Sequence, residues 1–232
     1  MERQRIETSG IPALLWGRPS DRAFIHVHGK QSRKEYAEGF AAIAEEKGFQ
    51  TLSFDLPGHG ERAGGPERCD VWTGVRDLDR VADFAFARWP RVSLYANSLG
   101  AWFALNAYPA RPLERCLFQS PIVDMRWLVE QMMRWSGVTP QRLEREGEID
   151  TPIDALRWDY YQYILAHPVG EWPVPTRILY AGRDDLQPEA VVRAFAERHH
   201  AALTVSPDSE HPFMAPEDRP IVEAWLRSAM DV

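Results

Sequence analysis

Val92-Ser93-Leu94-Tyr95-Ala96-Asn97-Ser98-Leu99-Gly100 runs from a buried strand into an apolar helix, with a serine at the junction. Residues 92–97 read as the strand, and Leu99–Ala107, rich in Ala, Trp, Phe and Leu, as the helix. Around the serine the pattern is small-x-Ser-x-Gly, with Ala96 and Gly100 two residues to either side. That spacing has a steric cause. A sharp reversal between strand and helix forces Ser98 into a strained conformation, and side chains at minus two and plus two collide unless they are small. The same turn exposes the Ser98 hydroxyl and points the Leu99 N–H into the same space at a helix N-terminus. A serine here can also act as a plain helix cap, but the ordered set of strand, small residues and helix favours a nucleophile.

Outward from this point, strands and helices alternate. An opening hairpin is expected over 4–7 and 11–16, turned by Ser9-Gly10, and then a compact strand over 23–28 (AFIHVH). Ser32 with Glu35 three residues later has the form of a capping box for the next helix, which Gly48 would close. A strand over 51–55, a Gly- and Pro-rich loop over 56–70 and a helix over 71–89 precede the serine. After it come strands at Cys116–Gln119, 177–181 and 203–205, and helices at Glu189–Arg198 and 221–230. Such alternation implies a mostly parallel sheet flanked by helices, an α/β fold, with the hairpin as an antiparallel edge. Only residues 121–175 break the rhythm; they are helical in pattern and aromatic.

Composition narrows the class. The chain has 232 residues, 44% hydrophobic and 26% charged, which suits one globular domain. A net charge of −7 argues against a nucleic-acid partner. Two cysteines, Cys69 and Cys116, make no disulfide framework and carry no metal-ligand spacing, so no metal or other cofactor is expected. The N-terminal MERQRIETSG lacks an apolar core and no run of eighteen apolar residues exists, so a cytoplasmic protein with no membrane partner is the expectation. Nothing in the sequence fixes the oligomeric state.

The segment at Ser98 resembles the nucleophile elbow of the α/β-hydrolase superfamily, with Ala96 where a glycine is usual. The resemblance extends over about residues 23–230 and includes three further motifs in the family order. It implies an esterase-like serine hydrolase with Ser98 as nucleophile and His211, in Ser209-Glu210-His211-Pro212-Phe213 after the last strand, as base. The acid should follow the strand over 177–181, where Asp184 and Asp185 are neighbours; the Asp-x-Leu spacing and Pro188 favour Asp184, leaving Asp185 to cap the following helix. His28-Gly29-Lys30 resembles the family's His-Gly turn, which implies that the Lys30 and Leu99 N–H groups form an oxyanion hole, with His28 holding the turn. Asp55-Leu56-Pro57-Gly58-His59-Gly60 resembles a structural segment of the family.

In that family the position of residues 121–175 carries a cap over the active site. Met125, Leu128, Met132 and Trp135 share one helical face, and Trp158, Tyr160, Tyr161 and Tyr163 form a second cluster. Packing of the cap explains most of them, while methionines and aromatics also suit a small-molecule substrate with an apolar acyl or alkyl group. Glu144, Glu146 and Glu148 read as a solvated stretch, and His167, His199 and His200 as helix-end or surface residues. The expected reaction is cleavage of an ester or related acyl bond through an acyl-enzyme. Thioester, peptide and carbon–carbon hydrolysis, acyl transfer, and a non-catalytic binding protein are alternatives on the same fold.

Overall fold

A computed structural model of the chain describes residues 1–231. In chain order the strands are β1 (Arg3–Thr8), β2 (Ile11–Trp16), β3 (Arg22–Val27), β4 (Gln50–Phe54), β5 (Arg91–Asn97), β6 (Cys116–Gln119), the short pair β7 (Glu148–Ile149) and β8 (Leu156–Arg157), β9 (Thr176–Ala181) and β10 (Ala202–Ser206). Eight of them form one sheet in the order β1-β2-β4-β3-β5-β6-β9-β10. The β1–β2 and β2–β4 pairs are antiparallel and every other pair in this sheet is parallel.

The inner parallel strands β3, β4, β5, β6 and β9 are buried on both faces, as parallel sheets require, whereas the edge strand β10 is partly exposed. Side-chain alternation divides them between two helical layers. Ile25, Val27 and Leu94 face a core shared with α2 (Val71–Arg88) and α3 (Leu99–Ala107), whereas Phe24, Tyr95 and Leu179 face α1 (Glu38–Glu46) and the last helix, Asp218–Met230. The latter core includes Phe40 stacked on Tyr95 with ring centroids 4.1 Å apart.

Two local expectations are corrected. Ser32 and Glu35 form no capping box: Lys34–Ala37 is a 3₁₀ turn whose N-cap, Arg33, makes no side-chain cap bond. Burial of Lys34 governs this turn instead, because its ammonium reaches Asp55 (2.7 Å), Glu61 (2.8 Å) and Glu35 (2.9 Å). Burial alone would lower its pKa, but these three carboxylates raise it, so the lysine stays charged. The capping box of the structure lies at Asp70 and Thr73, at the start of α2.

Residues 121–175 carry α4 (Met125–Trp135), α5 (Pro140–Glu146) and α6 (Trp158–Ala166), together with the antiparallel β7–β8 ribbon, which the helical reading did not anticipate. Tyr161 in α6 donates from its hydroxyl to Glu130 in α4 (3.0 Å), tying the two helices. Beyond this segment lie α7 (Glu189–Arg198) and α8 (Asp218–Met230). No helix among the described residues is long and apolar enough to cross a membrane.

Candidate active site

Loops after β3, β5, β9 and β10 leave the sheet at its carboxyl edge, where open α/β sheets place their ligands. Ser98 sits on the first of these turns to matter, with φ +48° and ψ −119°, a region that costs a non-glycine residue about 1–3 kcal/mol. Its neighbours explain why the strain holds. A Cβ added to Gly100 would lie 2.6 Å from the carbonyl oxygens of both Val27 and His28, so only glycine lets α3 start against the end of β3. Ala96 is fully buried in β5. Gly29 passes so close that an added Cβ would lie 3.1 Å from Ser98 Cβ.

His211 and Asp184 complete a chain of hydrogen bonds. Ser98 Oγ lies 2.9 Å from His211 Nε2, and His211 Nδ1 lies 2.7 Å from Asp184 Oδ2. A carboxylate accepts only, so Nδ1 carries the proton and Nε2 is left to accept from the serine hydroxyl. The other Asp184 oxygen accepts the backbone N–H groups of Leu186 (2.8 Å) and Gln187 (3.1 Å), which fixes the carboxylate. Both side chains are shielded from solvent, 8% exposed for His211 and 1% for Asp184. Asp185 takes no part. It is exposed, and it does not cap α7, whose N-cap is Pro188 with no side-chain bond; that expectation is corrected.

Several residues without a local sequence signature hold this geometry. Gln119 at the end of β6 donates to the Pro212 carbonyl (3.0 Å) and accepts from the Tyr95 hydroxyl (2.6 Å), anchoring the His211 loop from below. Asp218 accepts from Ser209 Oγ (2.6 Å) and from the Ala215 N–H (3.1 Å), anchoring it from the side. Gln187, fully buried, accepts from the N–H groups of Val123 and Asp124 and donates to the Asp124 carbonyl, joining the Asp184 loop to the start of α4.

Lys30 and Leu99 border the same cavity as Ser98. A reciprocal pair of histidines fixes the turn that carries Lys30. His28 Nδ1 donates to the Gly29 carbonyl (2.7 Å) and its Nε2 accepts the Leu56 N–H (3.1 Å). His59 Nδ1 donates to the Pro57 carbonyl (2.8 Å) and its Nε2 accepts the Gln31 N–H (3.0 Å). Each histidine thus accepts a backbone N–H from the loop of the other. Burial lowers the His28 pKa to about 4, which keeps Nε2 free to accept. Asp55, fully buried, binds Lys34 and the Glu61 N–H, so this second segment braces the turn.

The cavity at Ser98 measures about 130 Å³ and is walled by Met125, Leu128, Val129 and Met132 of α4, with Tyr160 of α6 opposite. Trp135, expected on the same face, is 45% exposed and points away. Of the second aromatic cluster only Tyr160 borders the cavity; Tyr163 packs on Trp72 of α2. Cys69 is an unforeseen wall residue. Burial pushes its thiol up to about 12, so it is a soft apolar surface rather than a nucleophile. A more polar mouth of about 300 Å³, bordered by Arg68, Asp70, Glu148 and Arg157, adjoins it. Across this mouth Lys30 forms an ion pair with Asp154, in the loop between β7 and β8. Among the described residues no three His, Cys, Asp or Glu side chains cluster as a metal site would need.

A doubly wound sheet with a serine on a strained strand-to-helix turn and a His–Asp pair beyond it defines a hydrolase-type α/β protein. The chain belongs to the alpha/beta hydrolase family, whose model matches residues 24–224. Its curated relatives include palmitoyl-protein thioesterase ABHD10, mitochondrial, from Rattus norvegicus, 27% identical over 85% of this chain and 69% of the relative. Another is 2,6-dihydropseudooxynicotine hydrolase from Paenarthrobacter nicotinovorans, 24% identical over 90% of this chain and 59% of that one. Among solved structures, Est1E from Butyrivibrio proteoclasticus with ferulic acid bound superposes with a TM-score of 0.80 at 18% identity, covering 98% of this chain and 97% of that one. Mouse alpha/beta hydrolase domain-containing protein 10 superposes with a TM-score of 0.79 at 18% identity, covering 100% and 99%. These structural likenesses concern the fold.

Proposed function

We propose that the chain is a serine hydrolase that cleaves a carboxylic ester or a related acyl bond through an acyl-enzyme. Ser98 Oγ attacks the acyl carbonyl carbon as His211 Nε2 takes its proton. Asp184 stabilises the resulting imidazolium and holds its tautomer. The carbonyl oxygen, now an oxyanion, is received by the N–H groups of Lys30 and Leu99, each worth about 10²–10³ in rate in comparable sites. His211 returns the proton to the leaving group, which departs through the polar mouth. A water, deprotonated by His211, then attacks the acyl carbonyl, and His211 passes that proton to Ser98 Oγ as the carboxylic acid departs. The apolar cavity takes the acyl part of a small-molecule substrate.

One observation carries this reading: the unbroken hydrogen-bond chain from Asp184 through His211 to Ser98 on its strained turn. A thioester is a second reading of the bond, favoured by the similarity to the rat palmitoyl-protein thioesterase. Hydrolysis of paired oxygen esters and thioesters with the same acyl group tests both. At least one member of the pair should be turned over, and that turnover should be abolished in Ser98→Ala. Turnover of neither, in a folded protein, overturns the hydrolase reading.

A further inference from the structure

The small cavity at Ser98 has a much larger neighbour. A groove of about 630 Å³ lies between α4, α6 and α7, nearly five times the 130 Å³ beside the serine. The two spaces share walls one helical turn apart. On α3, Leu99 borders the cavity and Trp102, three residues on and hence on the same face, borders the groove. On α6, Tyr160 borders the cavity and Ile164, four residues on, borders the groove. Met125, the first residue of α4, borders both and stands between them.

Met125 combines a held backbone with an adaptable side chain. Gln187 accepts from the Val123 and Asp124 N–H groups, and Asp124 Oδ1 caps α4 through the Trp127 N–H (2.9 Å), so the chain on both sides of Met125 is pinned. Its unbranched thioether has three rotatable bonds and adapts at little cost. The volumes set what this adaptability would serve. A cavity of about 150 Å³ holds one benzene ring, so the space at Ser98 takes about six carbons. A longer acyl chain anchored at Ser98 has to leave the cavity, and the apolar way out runs past Met125.

We propose that the groove receives the distal part of a long, unbranched acyl chain, and that the Met125 side chain is the partition this chain displaces. The inference rests on the acyl-hydrolase reading of Ser98 and adds a substrate class to it. Short acyl groups stop at Met125; chains of about ten carbons or more pass it and lie against α7.

The test fills the groove without touching the cavity. Ala194, exposed on α7, borders the groove only, so Ala194→Trp obstructs it at small risk to the fold. The readouts are kcat/KM for p-nitrophenyl hexanoate and dodecanoate, and calorimetric binding of the dodecanoate anion to each protein. The expected result is a dodecanoyl-to-hexanoyl ratio at least tenfold lower in Ala194→Trp, with dodecanoate binding weakened to match. Met125→Ala should shift the ratio the other way. An unchanged ratio in Ala194→Trp, or a wild type that cleaves the hexanoyl ester and neither cleaves the dodecanoyl ester nor binds dodecanoate, overturns the proposal. If neither ester is cleaved, it is the hydrolase reading that fails; dodecanoate binding, lost or retained in Ala194→Trp, still decides the groove.

Discussion

Asp184→Asn separates orientation from folding at this site. The wild-type carboxylate divides its work between two oxygens: Oδ2 accepts from His211 Nδ1 at 2.7 Å, while Oδ1 accepts two backbone N–H groups at 2.8 and 3.1 Å. Asparagine keeps an oxygen for the backbone pair and presents an NH₂ to His211. The imidazole must then offer a bare Nδ1 and carry its proton on Nε2, facing a serine hydroxyl that has lost its acceptor. Tautomer inversion of this kind costs about 10⁴ in kcat, or about 5 kcal/mol of transition-state stabilisation. Stability should change far less, by about 1–2 kcal/mol, since one charge-assisted bond is weakened and no backbone group is orphaned. Asp184→Ala leaves both N–H groups without an acceptor and should lose the activity together with a further 1–3 kcal/mol or so per orphaned group. Initial rates on a p-nitrophenyl ester, beside urea unfolding of each variant, give both numbers. An Asp184→Asn protein within about tenfold of wild-type kcat, or an Asp185→Asn protein that loses activity instead, refutes the assignment.

His26 and His28 are buried with pKa values lowered to about 3 and about 4, in both cases chiefly by burial, with His28 adding to the shift at His26. The unfolded chain therefore binds more protons than the folded one below about pH 6.5, so stability is full above that pH and falls as pH drops toward 4, by up to about 1.4 kcal/mol per pH unit per histidine. His26→Phe, packed against Phe40 and Tyr95, should shallow this acid limb in urea titrations from neutral pH to about pH 4.5; an unchanged slope contradicts the account. Gly100→Ala drives a Cβ to 2.6 Å from two backbone oxygens that cannot retreat, and should cost about 1–3 kcal/mol together with the proposed acyl-hydrolase activity; a wild-type melting temperature would show that the elbow is looser than described. Gln187→Leu orphans the buried N–H groups of Val123 and Asp124 and should destabilise by about 2–4 kcal/mol in chemical denaturation, whereas a loss under 1 kcal/mol or so would mean that the loop closes without it.

The parts of the site legible in the sequence were those fixed by local sterics or chain order. Ala96, Ser98 and Gly100 encode a backbone reversal within five residues. Between Asp184 and Asp185 only the resemblance chooses, because both lie in a loop where no periodicity assigns a side. The structure separates them through a turn in which one carboxylate accepts two N–H groups and its neighbour faces water. The Ser32–Glu35 pattern misled because burial of Lys34 among three carboxylates outweighs one local cap. Gln119 and Gln187 carry no local signature for a different reason. Both act on groups that tertiary folding alone brings near, Gln119 on the Pro212 carbonyl 93 positions along the chain and Gln187 on the Val123 N–H 64 positions away. The reciprocal bonds of His28 and His59 across two loops are of the same kind.

Peptide mapping by mass spectrometry after treatment with a fluorophosphonate probe asks most directly whether Ser98 is a nucleophile activated by His211. A single phosphonyl adduct on Ser98, formed rapidly in the wild type and absent from a folded His211→Ala protein, is the expected result. A wild type that takes no label, or carries it on another serine or on Cys69, would contradict it.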